Sequence, residues 1–306
     1  MSLVPTQFRI YTKCKKYTTN NHRPEHAQDK LQKYIINGKI SDSNVWAAEL
    51  VVSGMINLVW DTIFEIYYQN INIINPPMGL WIFRCYHRYL DIKKNYRSNL
   101  RNLCNDQEIR NMIAEIVTIL CISEKNFVNV SFKNVKNVSD NRSSISSKAN
   151  KIAKKYVSKY IKTDVHKGAS SLASRLENIF AYMETGEVHK TLPYIVLIIK
   201  NPKNIKTDSS IGIGKASVKS SPVWILWHYI TSNFHGNKDM LNVVINTYVI
   251  NHENKNYLTC VLIVYYALLL DKLRKNIKYN SVIPHTNHKV MKAVLDVNII
   301  YKSLHK

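Results

Sequence analysis

Between residues 133 and 167 the chain carries ten cations against two carboxylates, Asp140 and Asp164. The cations are Lys133, Lys136, Arg142, Lys148, Lys151, Lys154, Lys155, Lys159, Lys162 and Lys167. On a helix capped by Ser143 or Ser144, Lys148, Lys151, Lys155, Lys159 and Lys162 advance by three or four and share one stripe. The stripe lies beside an apolar face of Ile145, Ala149, Ile152, Tyr156 and Tyr160. A row of ammonium groups with few acids nearby can follow a phosphate backbone by counterion release, without reading bases. The plainer alternative is a solvated face whose lysines reflect the codon bias of an AT-rich genome, which also fits the heavy use of Asn, Ile, Lys and Tyr.

A second basic group, Arg84, His87, Arg88, Lys93, Lys94, Arg97 and Arg101, is interleaved with Tyr86, Tyr89 and Tyr96. Aromatics beside cations can stack on exposed bases; the same tyrosines can equally be half-buried core. Gln28, Leu31, Tyr34 and Ile35 match the spacing of a sliding-clamp-binding box and also the buried stripe of a first helix. His166, His189, His228, His235, His252, His285 and His288 show no His-x-x-x-His on a helix and no nearby cysteine pair, so no metal is expected. Asp164 and His166 can pair, as a dyad or as a structural hydrogen bond. Residues 209–217, SSIGIGKAS, approach a phosphate-binding loop but place Ser209 at its first glycine and Ala216 at its magnesium ligand, so no nucleotide cofactor is expected. The carboxylates form no cluster of the kind two-metal nucleases need.

The elements that must position these residues are helical. Apolar positions recur at helical spacing through Ala27, Leu31, Tyr34 and Ile35 and stop at Asn37-Gly38. Two helices joined by a turn at Ser53-Gly54 follow. A third segment spans about 79–100 with Trp81, Cys85, Tyr89 and Ile92 on one face, and a fourth about 107–122. Residues 127–138 alternate as a short strand or an extended loop. A helix over about 169–183 carries Leu172, Leu176, Ile179 and Phe180. Runs near 223–232, 240–250, 257–277 and 290–304 read as a small bundle. The expected fold is mainly α, divided into an extension (1–25), a helical domain (26–199), a linker or mobile loop (200–222) and a C-terminal helical bundle (223–306).

Composition sets the partner class. With 43 Lys+Arg against 21 Asp+Glu among 306 residues, a formal charge of +22 favours a polyanion, and DNA leads. Five separate cysteines read as reduced intracellular thiols. The N-terminal sequence has no apolar run of signal-peptide type, and the longest apolar stretch, 257–270, is too short to span a bilayer, so no membrane partner is expected.

Four segments in order resemble the C-terminal region of the MgsA/RarA (Werner-helicase-interacting) AAA+ ATPases, which are related to clamp loaders. They are HAQDKLQKYIINGKISDSNVWAAELVVSG at 26–54 with Trp60 and the closing Ile73-Ile74-Asn75-Pro76; an Ile-Leu-Cys helix followed by Ser123-Glu124-Lys125-Asn126; Asp164-Val165-His166; and Phe180, Glu184 and Gly186. The likeness spans about residues 26–190. Tyr68-Gln69-Asn70 replace that family's acidic loop, and Ser170 and Ser174 replace its glycines. The resemblance implies a bundle of clamp-loader-collar type that lacks the ATPase module and holds subunits together as a homo-oligomer. It implies replication or repair proteins as partners, an ATPase or a sliding clamp among them. Together these readings predict a non-catalytic DNA-binding scaffold or accessory subunit, in the nucleus or at a cytoplasmic DNA replication site. Its DNA contacts would be Lys148, Lys151, Lys154, Lys155, Lys159, Lys162, Lys167, Arg84, Arg88 and Arg97. A divergent magnesium-dependent nuclease and a nucleic-acid-packing structural protein are the competing expectations.

Overall fold

The computed structural model describes residues 16–96, 99–126, 146–158, 169–200, 221–236, 238–273 and 287–304. Among them the regular structure is entirely helical. The helices are α1 (Pro24–Ile36), α2 (Ile40–Val52), α3 (Ile56–Ile66), α4 (Pro76–Asn95), α5 (Leu100–Asn105), α6 (Gln107–Ile122), α7 (Ser147–Val157), α8 (Ala169–Thr185), α9 (Leu192–Lys200), α10 (Val223–Asn233), α11 (Lys238–Glu253), α12 (Tyr257–Leu273) and α13 (His288–Ser303). The stretch read from sequence as a strand or extended loop lies outside the described residues.

The chain forms two compact units, Met1–Phe127 with Tyr279–Lys306, and Val128–Lys278. This differs from the sequence division, which joins 26–199 and gives the last helix to a C-terminal bundle. The reason is long-range: α13 packs on α2 and α6 and so belongs to the first unit.

In the first unit, α1, α2, α3 and α6 share a core in which Ala27, Leu31, Ile35, Leu50, Val51, Val59 and Ile63 are fully buried. Each fully buried Leu or Ile contributes roughly 1.5–3 kcal/mol, so this shared face outweighs any single polar contact. Helix ends are set by backbone chemistry. Gly38 adopts φ +68°, the Gly38 N–H donates to Ile35 O and the Lys39 N–H to Tyr34 O, which closes α1 on a left-handed residue that a side chain would strain. Asn44 Nδ2 donates to Thr118 Oγ1 at 3.1 Å and pins α2 to α6 inside the core. The buried Glu49 carboxylate accepts from the Asn20 N–H at 2.9 Å and from the Asn20 side-chain amide at 2.7 Å, tying the segment before α1 to α2.

Where the resemblance leads one to look for an acidic loop, residues Tyr67–Ile71 form a π-helical turn with Tyr68 and Asn70 buried. Tyr67 Oη donates to Pro76 O at 3.0 Å and lies against α4 at Gly79, where an added Cβ would stand 2.5 Å from that oxygen. Only glycine permits the approach. Helix α4 starts three residues earlier than the sequence suggests, because Asn75 Oδ1 caps the Met78 N–H and Pro76-Pro77 fill the first turn, where no N–H is needed.

In the second unit α12 is the central helix. Thr259, Cys260, Val261, Leu262, Ile263, Val264, Tyr266 and Ala267 are buried on every side, and α9, α10 and α11 pack around it. That is the environment expected of a helix apolar all round. Among the described residues no helix is long and apolar enough to cross a membrane.

Candidate nucleic-acid interface

Helix α7 packs on α8 and presents cations outward. Ser146 Oγ caps it by accepting from the Ala149 N–H at 3.2 Å, two or three residues later than the sequence places the cap. Its buried row is Ala149, Ala153 and Val157, small side chains that let the α7 and α8 backbones approach. The apolar face expected through Ile152 is therefore rotated, and Ile152 stands 42% exposed. Correspondingly, the lysines lie opposite the buried row rather than beside it.

Lys148, Lys151, Lys154 and Lys155 are all exposed, and α7 contains no carboxylate. Among the described residues none of the four joins a salt bridge. Lys148, Lys151 and Lys155 fall within about 60° on the helix surface and span about 10 Å along it. Lys159, Lys162 and Lys167 lie outside the described residues.

The side of α7 next to this face is aromatic. Tyr156 Oη and His228 Nδ1 share a 2.7 Å hydrogen bond. Tyr156 meets Phe180 edge-on at 5.0 Å, and Phe180 stacks on Tyr229 at 4.5 Å. Tyr229 Oη donates to Glu184 Oε1 at 3.1 Å; burial, and secondarily the Glu184 charge, push this phenol well above its ordinary pKa, so it remains a donor. These contacts fix α7 on α8 and α10, and with it the direction of the lysine face.

The second basic group behaves differently. Arg84 is exposed, but the Arg88 guanidinium forks onto Glu108, with Nε 2.6 Å from Oε1 and Nη2 3.0 Å from Oε2, and Lys94 pairs with Asp91 at 2.7 Å. The interleaved tyrosines are structural: Tyr89 is buried, Tyr86 meets Trp60 edge-on at 5.0 Å, and Tyr96 Oη donates to Asp106 Oδ2 at 2.7 Å. Arg97 lies outside the described residues. Among the described residues, α7 offers Lys148, Lys151 and Lys155 in a row outside any salt bridge, whereas Arg88 and Lys94 of the second group are paired.

Leu31 and Ile35 of the clamp-box spacing are fully buried in the first unit, so they cannot enter a partner's pocket while it is folded. Residues 209–217, the Asp164–His166 pair and His285 lie outside the described residues. Among the described residues no three His, Cys, Asp or Glu side chains come together as a metal site. One spacing escaped the sequence reading. His22 and His26 are four apart with ring centroids 6.0 Å from each other, and His22 packs 5.0 Å from Trp46. His22 precedes α1, so a search for histidine pairs within helices passes over it. Trp46 and Trp81 are half-buried, whereas Leu31, Trp60 and Phe180 are buried.

No protein-family model matches the chain, and no curated protein or solved structure matches it either.

Proposed function

We propose that this chain is a non-catalytic scaffold or accessory subunit of a DNA replication or repair assembly and that it holds DNA by its phosphates along α7. The observation that carries the reading is the exposed row of Lys148, Lys151 and Lys155, flanked by Lys154, on a helix without a carboxylate. Such a row neutralises phosphates and releases condensed counterions, giving affinity without base recognition. The overall charge of +22 raises the local concentration of any polyanion and speeds encounter. The resemblance to the region following the ATPase module of the MgsA/RarA proteins supplies the assembly: a self-associating, collar-like part that works beside a separate ATPase.

The reading is tested by fluorescence anisotropy with a labelled duplex. Lys148→Gln/Lys151→Gln/Lys155→Gln is expected to weaken binding to unrelated sequences alike. Lys206→Gln/Lys215→Gln/Lys219→Gln removes the same charge elsewhere and should weaken it far less. Equal losses from both triple variants would mean that only net charge matters.

A further inference from the structure

Helix α13 is apolar on two opposite faces. Val290, Ala293, Val297 and Tyr301 turn inward and are 1, 7, 2 and 2% exposed, whereas Met291, Leu295 and Ile299 are 52, 75 and 66% exposed. The second set recurs every four residues and spans about 80° around the helix, directly opposite the buried row. Only two other large apolar side chains among the described residues, Ile152 and Tyr257, are comparably exposed, so the stripe is a concentrated feature and not the scatter normal for a surface.

The same face carries exposed His288, Lys292 and Lys302, while the one carboxylate of α13, Asp296, is half-buried at its edge. Charge decides among occupants. A second copy docking antiparallel about Leu295 would bring His288 of one helix to Lys302 of the other, with no carboxylate between them. A bilayer needs no four-residue ridge, and the sole aromatic of α13, Tyr301, is buried beneath the Arg110 guanidinium instead of facing outward as an interfacial anchor. A ridge at i, i+4 and i+8 fits the groove of another helix, and the lysines beside it call for carboxylates.

We infer that the outer face of α13 is a docking site for an acidic amphipathic helix of a partner protein, whose apolar side chains cover Met291, Leu295 and Ile299 and whose carboxylates meet Lys292 and Lys302. The site belongs to the first unit and α7 to the second, and the inference does not rest on DNA binding.

The test uses the full chain and a fluorescent synthetic peptide with leucine at every fourth position, alanine between and glutamate flanking, together with a scrambled peptide of identical composition. The ordered peptide is expected to bind at least about tenfold more tightly than the scramble, and Leu295→Asn/Ile299→Asn to erase that difference. Lys292→Glu/Lys302→Glu should weaken the ordered peptide and restore binding to a lysine-flanked counterpart. Both variants should keep the wild-type circular dichroism and melting temperature, because the altered side chains face water. Equal binding of the two peptides, no binding by the wild type, or wild-type affinity in the asparagine variant overturns the inference. So does a dimer of the free chain, or attachment to phosphatidylserine-containing vesicles, that the asparagine variant abolishes.

Discussion

Single side chains in the first unit carry their own pH and reactivity consequences. Burial raises the Glu65 carboxyl above its ordinary pKa; the 3.0 Å bond donated by Gln32 partly opposes this, and the Asp29 charge adds to it. A carboxyl whose folded pKa exceeds its unfolded one stabilises the fold at low pH and loses that contribution as pH rises through the folded value. Glu65→Gln keeps an acceptor for Gln32 and removes the charge. It is therefore expected to be at least as stable as wild type at pH 7 in urea unfolding, with an advantage that shrinks toward pH 4. Burial also pushes the Cys104 thiol up to about 12 and the Cys121 thiol, which donates to Ser43 Oγ at 3.3 Å, up to about 11. Only the thiolate is nucleophilic, so both should resist iodoacetamide at pH 8 until urea unfolds the chain, as peptide mass spectrometry would register. Rapid labelling of either in native buffer would contradict the burial of Cys104 and Cys121.

At the scale of elements, the most consequential contact is the one that recruits α13 to the first unit. The Arg110 guanidinium of α6 is buried, donates to Cys104 O at 3.2 Å and to Asn105 Oδ1 at 2.5 Å, and lies 4.3 Å from the centre of the Tyr301 ring. Tyr301→Ala should cost about 3 kcal/mol or more in urea unfolding, since it opens a cavity and uncovers a buried cation. Leu295→Ala, three-quarters exposed on the same helix, should change stability by less than about 0.5 kcal/mol. Equal costs would mean that α13 packs by its other face. Much of the helical architecture is legible in the sequence, because the rules involved are local. Gly38 and Gly54 stop α1 and α2, Asp106 caps α6, and periodic apolar positions mark α8. The partner of α13 is not legible: periodicity tells which side of a helix is buried, not what buries it. The π turn at Tyr67–Ile71 and helix α9, with the unbroken apolar run Leu192-Pro193-Tyr194-Ile195-Val196-Leu197-Ile198-Ile199, leave no helical rhythm to read. On α7 the cationic row is legible from spacing, but its relation to the core is not. Three small residues, Ala149, Ala153 and Val157, outcompete Ile152 for the interface because α7 and α8 pack closely. Ala153→Leu should therefore overpack this contact and cost about 1–3 kcal/mol in urea unfolding.

For the molecule as a whole, the proposal that it meets a polyanion through the polyanion's phosphates rests on the net charge of +22 and on the α7 lysines, which join no salt bridge among the described residues. Because residues 209–217 depart from a phosphate-binding loop at Ser209 and Ala216, purified chain is expected to release no phosphate from ATP. Turnover abolished by Lys215→Ala would reverse that. Incubation of labelled DNA with the chain and magnesium should leave the DNA intact, whereas cleavage would favour a nuclease. The most direct test of the central claim is the salt dependence of duplex binding, measured for the wild type and for Lys148→Gln/Lys151→Gln/Lys155→Gln on two unrelated sequences. Each phosphate neutralised contributes a slope of about −0.9 in log affinity against log salt, so the triple variant should show a slope shallower by roughly three units, equally on both sequences. An unchanged slope, or a loss confined to one sequence, would contradict an interface made of phosphate contacts along α7.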